Sequence, residues 1–148
     1  MFLHPKRICI DVQSMGAKLI LDGNDLFIEN PEKIGPEVES VIKEYKLRIV
    51  KYLQGNYSEQ EHAVKQTVDK IINFFIGIEQ DINPKINDWF NNDEAAARMV
   101  MELTLNFSLN GWLYVKESVA NYENELTDKL SLNLYNRAMT YFKKGVSK

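Results

Sequence analysis

The residues that could support metal or acid–base chemistry are few and are scattered along the 148-residue chain. The two histidines are His4 and His62, and a helix would place Glu59 on the same face as His62. Zinc sites use three or four protein ligands, so two neighbouring candidates make a weak site. We therefore interpret Glu59 and His62 as surface residues of a helix-start turn, and we expect no metal and no cofactor.

The residues that could act in catalysis lack partners at a suitable spacing. Cys9 lies between two isoleucines, and the sequence places neither histidine beside it as an activating base. The segment Asp22–Asp25 lacks the ligand spacing of a calcium loop, and no Gly-x-Gly phosphate-binding pattern occurs. We predict that the protein is not an enzyme. A small hydrolase would require a pocket beside the acidic turn near Asp88.

The composition is that of a folded protein with one domain or two small ones. The chain is 45% hydrophobic and 26% charged. Its net charge of −3 argues against a domain whose main task is to bind a phosphate backbone. Direct nucleic-acid binding is therefore disfavoured.

The sequence also indicates a cellular compartment. A single cysteine excludes an intrachain disulfide, which is typical of intracellular proteins. The first residues, Met1–Arg7, lack the basic start and apolar run of a signal peptide. No apolar stretch approaches the roughly 20 residues that a membrane helix needs. We expect a cytoplasmic protein with no membrane partner.

The pattern of apolar residues predicts an α+β fold in two parts. Residues 1–55 are predicted to form a small α-β-β-α-α module with a β-hairpin, in which Gly16 ends the first helix and Tyr45 marks a break between the last two. Residues 56–148 are predicted to form an all-α region of about three to four helices. The junction near Gly55 is too short to separate independent domains, so we expect the parts to pack together.

Residues 17–29 carry a strong hairpin signal, because two short apolar runs flank Gly23-Asn24. Gly at the first turn position predicts a two-residue type II′ turn, and this turn fixes the register. Side chains alternate along each strand, so the two faces differ. The predicted inner face is wholly aliphatic: Leu19, Leu21, Leu26 and Ile28. The predicted outer face holds two cross-strand pairs: Lys18 with Glu29, and Ile20 with Phe27.

In the helical region, apolar stripes at helical spacing predict the individual helices. Ser58 begins the first helix as part of a capping box, and Pro84 interrupts the pattern. A second stripe covers residues 96–107, a third runs from Trp112 to Leu126, and the last helix covers residues 128–144.

Two adjacent aromatic rings, Trp89 and Phe90, fall in the non-periodic polar stretch Ile86–Asn92. Rings on a polar loop can anchor a partner protein. The alternative is that they close one end of a helical bundle. We treat both residues as candidate partner-binding residues.

The outer face of the hairpin has two explanations. A two-stranded sheet is marginal alone, so the C-terminal helices would cover Ile20 and Phe27 in one merged core. The alternative is that a partner peptide adds as a third strand and buries Phe27. The hairpin residues that we consider candidates for partner binding are Lys18, Ile20, Leu26, Phe27, Ile28 and Glu29.

The stretch of residues 12–53 resembles the TubC-type domain, the N-terminal docking domain of hybrid polyketide synthase–nonribosomal peptide synthetases. The resemblance lies in the order and spacing of four segments: the helix end at Met15-Gly16, the hairpin Ala17–Ile28, and the later segments Gly35–Val38 and Tyr45–Leu53. It covers about 40 of the 148 residues. The helical remainder resembles no family that we identify.

This resemblance implies a fold whose exposed hairpin receives a short linear motif of a partner by strand addition. The strand Leu26–Glu29, with Lys18 and Ile20 beside it, would form the docking site. A synthase carries a very large polypeptide behind this domain, whereas about 90 residues follow here, so no synthase machinery fits. Related small domains are also attached to replication proteins of plasmids and other mobile elements.

The leading hypothesis is a non-catalytic adaptor or accessory subunit that docks a larger enzyme, such as a polymerase, primase or synthase, through its hairpin. The helical part would bind a second partner or self-associate. One alternative is an accessory protein of a mobile-element replication complex that contacts DNA, a polymerase or a primase. Another is a phage-type inhibitor of a host enzyme, which the net charge of −3 supports only weakly.

Overall fold

The computed structural model of the chain describes residues 4–77 and 84–146. It divides into two compact units, Met1–His62 and Ala63–Lys148, which we call unit 1 and unit 2. The division falls within the helix Glu59–Phe75, later than the junction at residue 55 that the sequence predicts. One antiparallel hairpin together with helices confirms the predicted α+β class.

Unit 1 has the predicted α-β-β-α-α order. Its elements are α1 (Pro5–Ser14), β1 (Lys18–Asp22), β2 (Asp25–Glu29), a 3₁₀ turn (Pro31–Lys33), α2 (Pro36–Glu44) and α3 (Lys46–Leu53). The break between α2 and α3 lies at Tyr45, as the sequence predicts. The first helix α1 packs against β1 and α3, and α3 also contacts β2.

The ends of α1 follow from local chemistry. Pro5 occupies the first turn, where its missing N–H costs no hydrogen bond, and the Lys6 backbone N–H donates to His4 Nδ1 at 3.0 Å. At the other end Gly16 has φ of +93°, and the Ala17 N–H donates to the Val12 carbonyl at 3.2 Å. Glycine adopts this left-handed conformation without a Cβ clash, so it ends the helix and turns the chain toward β1.

The core of unit 1 lies between α1, the hairpin and the pair α2–α3. Its buried side chains include Ile8, Val12, Leu19, Ile42 and Ile49. Arg48 is buried among them, and its guanidinium carbon lies 5.9 Å from the centre of the Tyr45 ring. This contact combines apolar packing of the arginine stem with attraction between a cation and an aromatic face.

The helical region contains four helices within residues 59–77 and 84–146, in agreement with the prediction. They are α4 (Glu59–Phe75), α5 (Pro84–Asn92), α6 (Glu94–Leu109) and α7 (Glu125–Val146), with a 3₁₀ turn (Val119–Tyr122) before α7. The Ser58 Oγ accepts the Glu61 backbone N–H at 3.0 Å, which is the predicted cap of α4. The largest fully buried side chains of the unit 2 core are Ile71, Ile72, Trp89, Leu103, Phe107 and Leu134.

The prediction of a polar loop around Trp89 and Phe90 is wrong. Both residues lie in α5, where Trp89 is fully buried and stacks on Phe90 at a ring-centre distance of 5.2 Å. Trp89 also contacts Phe142 of α7 at 5.7 Å between ring centres. Trp89 therefore belongs to the core of unit 2 and presents no exposed anchor to a partner, while Phe90 is half-buried beside it.

The prediction of a helix from Trp112 to Leu126 is also wrong. Gly111 has φ of +113°, and the Trp112 N–H donates to the Phe107 carbonyl, which ends α6. Residues 112–118 then form a loop without regular structure. Helical spacing misleads here because Trp112 and Val119 are buried by the tertiary fold rather than by one continuous helix.

A buried ion cluster joins α4 to the start of α7 in unit 2. Lys65 is 4% exposed, and its Nζ contacts carboxylate oxygens of Glu123 and Asp128. Burial of a cation is costly unless anions compensate it at close range. The two carboxylates supply this compensation and hold the segment before α7 against α4.

Asp93 fixes the junction between α5 and α6. Its Oδ1 caps α6 by accepting the Ala96 N–H at 3.3 Å, and its Oδ2 accepts the Trp89 indole N–H at 3.1 Å. Arg137 of α7 donates to both oxygens at 2.7 Å. These hydrogen bonds lower the pKa of Asp93, and the hydrogen bond from Arg137 has the largest effect. One carboxylate thus links three helices.

We expect Asp93→Ala to lower the free energy of unfolding by about 2–4 kcal/mol, because it removes a helix cap and leaves a buried indole N–H without an acceptor. Chemical denaturation measures this change. Asp88→Ala is the matched control, since Asp88 is exposed on α5, and it should change stability by less than about 0.5 kcal/mol. Equal stability of the two variants would show that Asp93 does not fix the junction.

Candidate docking site

The hairpin of unit 1 has the register that the sequence predicts. Lys18 pairs with Glu29, Ile20 with Phe27, and Asp22 with Asp25 at the turn end. Gly23 has φ of +63° while Asn24 keeps a negative φ, which agrees with the predicted type II′ turn. The turn therefore decides which side chains point toward the unit 1 core.

The inner face of the hairpin belongs to the core. Leu19 is buried, and three further aliphatic side chains are half-buried: Leu21, Leu26 and Ile28. Leu26 and Ile28 are among the predicted partner-binding residues, yet their side chains lie on this inner face. A partner strand that pairs with β2 would contact Leu26 and Ile28 through backbone hydrogen bonds rather than through their side chains.

The outer face of the hairpin is exposed along its whole length. Ile20 is 40% exposed and Phe27, directly opposite it, is 52% exposed. Lys18 and Glu29 are exposed at one end of this apolar pair. Four of the predicted partner-binding residues thus share one open face: Lys18, Ile20, Phe27 and Glu29. We call this outer face, with Asp22 and Asp25 at its turn end, the hairpin surface.

The hairpin surface is acidic near the turn. Asp22 and Asp25 stand directly opposite each other, both exposed, on the same side as Ile20 and Phe27. Like charges in a cross-strand pair destabilise a sheet. A cation that approaches this end of the hairpin relieves that repulsion, so the surface favours a positively charged group beside the apolar pair.

The hairpin is held as a rigid platform by contacts at both ends. At the turn, the Gln54 side-chain amide donates to Asn24 Oδ1 at 3.0 Å. At the open end, the Asn30 side-chain amide donates to the Gly16 carbonyl at 3.4 Å, and Asn30 itself adopts the left-handed conformation with φ of 57°. These contacts, together with the buried inner face, fix the strands before any partner arrives.

Both strands retain a backbone edge for further pairing. The sheet formed by the described residues has two strands, so each strand pairs on one side with the other. The second edge of each strand presents backbone N–H and C=O groups that can extend the sheet. The hairpin surface therefore offers both an apolar side-chain pair and backbone hydrogen-bonding groups.

A second cluster in unit 1 brings the two histidines together, which the sequence did not predict. The His4 and His62 ring centres are 4.2 Å apart, and His4 Nε2 lies 3.1 Å from Glu59 Oε1. Tyr57 Oη and His62 Nδ1 are hydrogen-bonded at 3.1 Å. The one signal in the sequence is local: His4 before Pro5 marks a helix start, and it does not indicate that His62 returns to this imidazole.

The chemistry available to these groups is limited. Among the residues described, no group of three or more His, Cys, Asp and Glu side chains lies close enough to hold a metal ion. Burial raises the pKa of the Cys9 thiol, which favours its unreactive protonated form.

No helix in the described parts of the chain is long and apolar enough to cross a membrane.

Unit 2 has an open depression of about 440 Å³ at Asp93, beside Arg137, Thr140 and Tyr141. Its one carboxylate is already engaged by Arg137 and by the Trp89 indole. Asp88, where the sequence analysis considered a hydrolase pocket, does not line this depression. The arrangement is that of a helix junction, and the described residues that line it include no carboxylate other than that of Asp93.

Comparison of the chain with protein-family models, with curated proteins and with solved structures found no match. The features of the chain that bear on its function are the hairpin surface and the sequence resemblance of residues 12–53.

The histidine cluster generates a prediction for the pH dependence of stability. Burial lowers the pKa of His62 below its usual 6.5, and the charges of His4 and Arg48 lower it further against the opposing effect of Glu59. The unfolded chain therefore binds the proton more readily than the folded one. Stability is greatest above the unfolded pKa and falls as the pH drops through it.

We expect His62→Gln to flatten the fall in the free energy of unfolding between about pH 7.5 and pH 5, because the variant has no proton to bind at this position. Urea unfolding at several pH values measures the slope. Unchanged pH dependence in the variant would show that His62 protonation does not weaken the fold.

Proposed function

We propose that unit 1 is a docking module that receives an extended segment of a larger partner protein along its hairpin surface. The observation that carries this proposal is the exposed Ile20–Phe27 pair on a sheet that has two strands among the described residues, each with an edge that no other described strand pairs with. An extended peptide that adds to such an edge gains main-chain hydrogen bonds, and its alternate side chains provide specificity. The rigid platform limits the entropy lost on binding.

The charges of the hairpin surface indicate the chemistry of the partner segment. The surface has one cation, Lys18, against the carboxylates of Asp22, Asp25 and Glu29. A segment with an apolar side chain over Phe27 and a Lys or Arg beside the Asp22–Asp25 pair is complementary to it. The same charges disfavour a phosphate backbone, so a protein segment fits this surface better than DNA.

The resemblance of residues 12–53 to TubC-type docking domains supports the same function. In such domains the hairpin is the surface that receives the partner motif. The remainder of this chain is helical, which suits an adaptor or accessory subunit that brings a larger enzyme, such as a polymerase, primase or synthase, to a second site.

Site-specific photo-cross-linking tests where the partner binds. A benzophenone-bearing amino acid in place of Phe27 should cross-link one protein in lysate of the native source, and mass spectrometry should locate the link in an extended apolar and basic segment. The same probe in place of Ile10 is the control, because Ile10 is 47% exposed on α1, on the side opposite the buried Ile8 and Val12. Equal labelling from both positions would contradict docking on the hairpin.

We expect Phe27→Asp to weaken binding of the identified partner segment by at least about tenfold, since burial of a phenylalanine contributes about 1.5–3 kcal/mol. Calorimetry with a peptide of that segment measures the affinity, and circular dichroism checks the fold. Ile10→Asp places the same charge on an equally exposed position and should bind normally. Unaltered affinity of a folded Phe27→Asp variant would refute the proposed docking site.

A further inference from the structure

Unit 2 exposes a concentrated apolar surface on α6 and in the loop that follows it. Met101, Leu105 and Leu109 are four residues apart, so they form one stripe along the helix, and each is more than half exposed. The loop adds three consecutive apolar residues with similar exposure. We call this set the α6 surface: Met101, Leu105, Leu109, Leu113, Tyr114 and Val115.

The opposite face of α6 already forms part of the unit 2 core. Ala96, Val100, Leu103 and Phe107 are all buried there. An amphipathic helix needs one apolar face to join its own core, and the other face is normally polar. The stripe Met101–Leu109 is therefore a second apolar face that the fold of unit 2 does not require.

Two polar side chains beside the stripe, Thr104 and Asn106, donate hydrogen bonds within α6 itself. Thr104 Oγ1 donates to the Met101 carbonyl at 2.9 Å, and the Asn106 amide donates to the Glu102 carbonyl at 2.8 Å. Groups that already have hydrogen-bond partners lose less on dehydration than groups that depend on water. A partner can therefore cover Thr104 and Asn106 with a smaller loss of hydration than if they were bonded to water alone.

The loop after α6 is held in place before any association. The Trp112 indole N–H donates to the Glu117 carbonyl at 2.9 Å, and the Glu117 N–H donates to the Tyr114 carbonyl at 3.0 Å. Tyr122 Oη donates to the Glu117 carboxylate at 2.8 Å. With Trp112 buried, these bonds fix the loop on unit 2 while Leu113 and Tyr114 remain exposed.

The size of the α6 surface matches one half of a dimer interface. Its six side chains, each more than half exposed, present on the order of 500 Å² of apolar area. A stable interface buries about 800 Å² per partner, and in homodimers about 65% of this area is apolar. Apolar patches of this size are often interaction sites.

We propose that two copies of the chain associate through the α6 surface about a two-fold axis near Leu105, with the two α6 helices antiparallel. A two-fold axis places Leu105 against its counterpart and Met101 against Leu109 of the other copy. The backbone N–H and C=O groups of α6 are already hydrogen-bonded within the helix, so its exposed face can contact a partner through side chains alone. The apolar face of a second helix packs well against such a surface. This inference does not depend on the function of the hairpin surface.

Charge favours the antiparallel arrangement. The N-terminal half of α6 exposes Glu94, Arg98 and Glu102, a net charge of −1. The loop after α6 exposes Lys116, while the neighbouring Glu117 is half-buried with its carboxylate hydrogen-bonded to Tyr122. Antiparallel packing brings the loop of each copy to the N-terminal half of the other α6, where opposite charges meet. A parallel pair would instead place identical charges side by side.

Sedimentation velocity of the full chain from about 1 to 200 µM tests the proposal. We expect the wild type to dimerise and Leu105→Glu to raise the dimer dissociation constant at least about 100-fold, because the axis brings the two added carboxylates together. Leu132→Glu is the matched control: Leu132 is 44% exposed on α7, outside the α6 surface, and this variant should dimerise normally. A wild type that stays monomeric throughout, or a dimer that Leu105→Glu leaves intact, would overturn the proposal.

Cross-linking tests the geometry without a charged substitution. In a Cys9→Ala background, Leu105→Cys should form a disulfide-linked dimer under mild oxidation, because residues on a two-fold axis lie next to their own counterparts. Leu132→Cys in the same background should stay largely monomeric. Equal cross-linking of the two variants, or none at position 105, would contradict an axis near Leu105.

Discussion

The two-residue turn at Gly23-Asn24 is the constraint on which the proposed docking site depends. It fixes the pairing of β1 with β2, and the pairing determines which side chains face the core. A shift of one residue would place Phe27 inside and polar residues such as Glu29 against α1 and α3. Burial of Leu19 strengthens the same register, so turn geometry and packing favour one arrangement.

In each unit, a polar side chain at the start of a helix both caps that helix and binds residues of other elements. In unit 1, His4 caps α1 and meets His62 and Glu59 at the start of α4. In unit 2, Asp93 caps α6 and binds both Trp89 and Arg137. His4 and Asp93 each make more than one polar contact through a single side chain. Such directional contacts fix the angle between neighbouring elements more sharply than apolar packing alone.

The two exposed apolar surfaces differ in the kind of partner that they suit. The hairpin surface combines Ile20 and Phe27 with unpaired backbone edges in the sheet of the described residues, and an extended segment uses both. The α6 surface lies on a helix whose backbone is already hydrogen-bonded, so it suits another helix face. The two proposals are therefore compatible, since the peptide would bind to unit 1 and the second copy to unit 2.

The sequence by itself determined the features that depend on near neighbours along the chain. The hairpin register follows from Gly23-Asn24 and from strict alternation, and the break at Tyr45 follows from the change in apolar spacing. The order of the elements in unit 1 and the outward direction of Ile20 and Phe27 were thus predictable. These features are local because turn conformation and side-chain alternation need only a few consecutive residues.

Only the tertiary structure decided which residues from distant parts of the chain meet. It buries Trp89 against Phe142, brings His4 to His62, and folds Trp112 onto the end of α6 instead of continuing a helix. The spacing that suggested a helix from Trp112 to Leu126 arises because separate segments contribute to one core. The periodic spacing of apolar residues indicates that a residue is buried, but the packing of the whole unit determines which residues cover it.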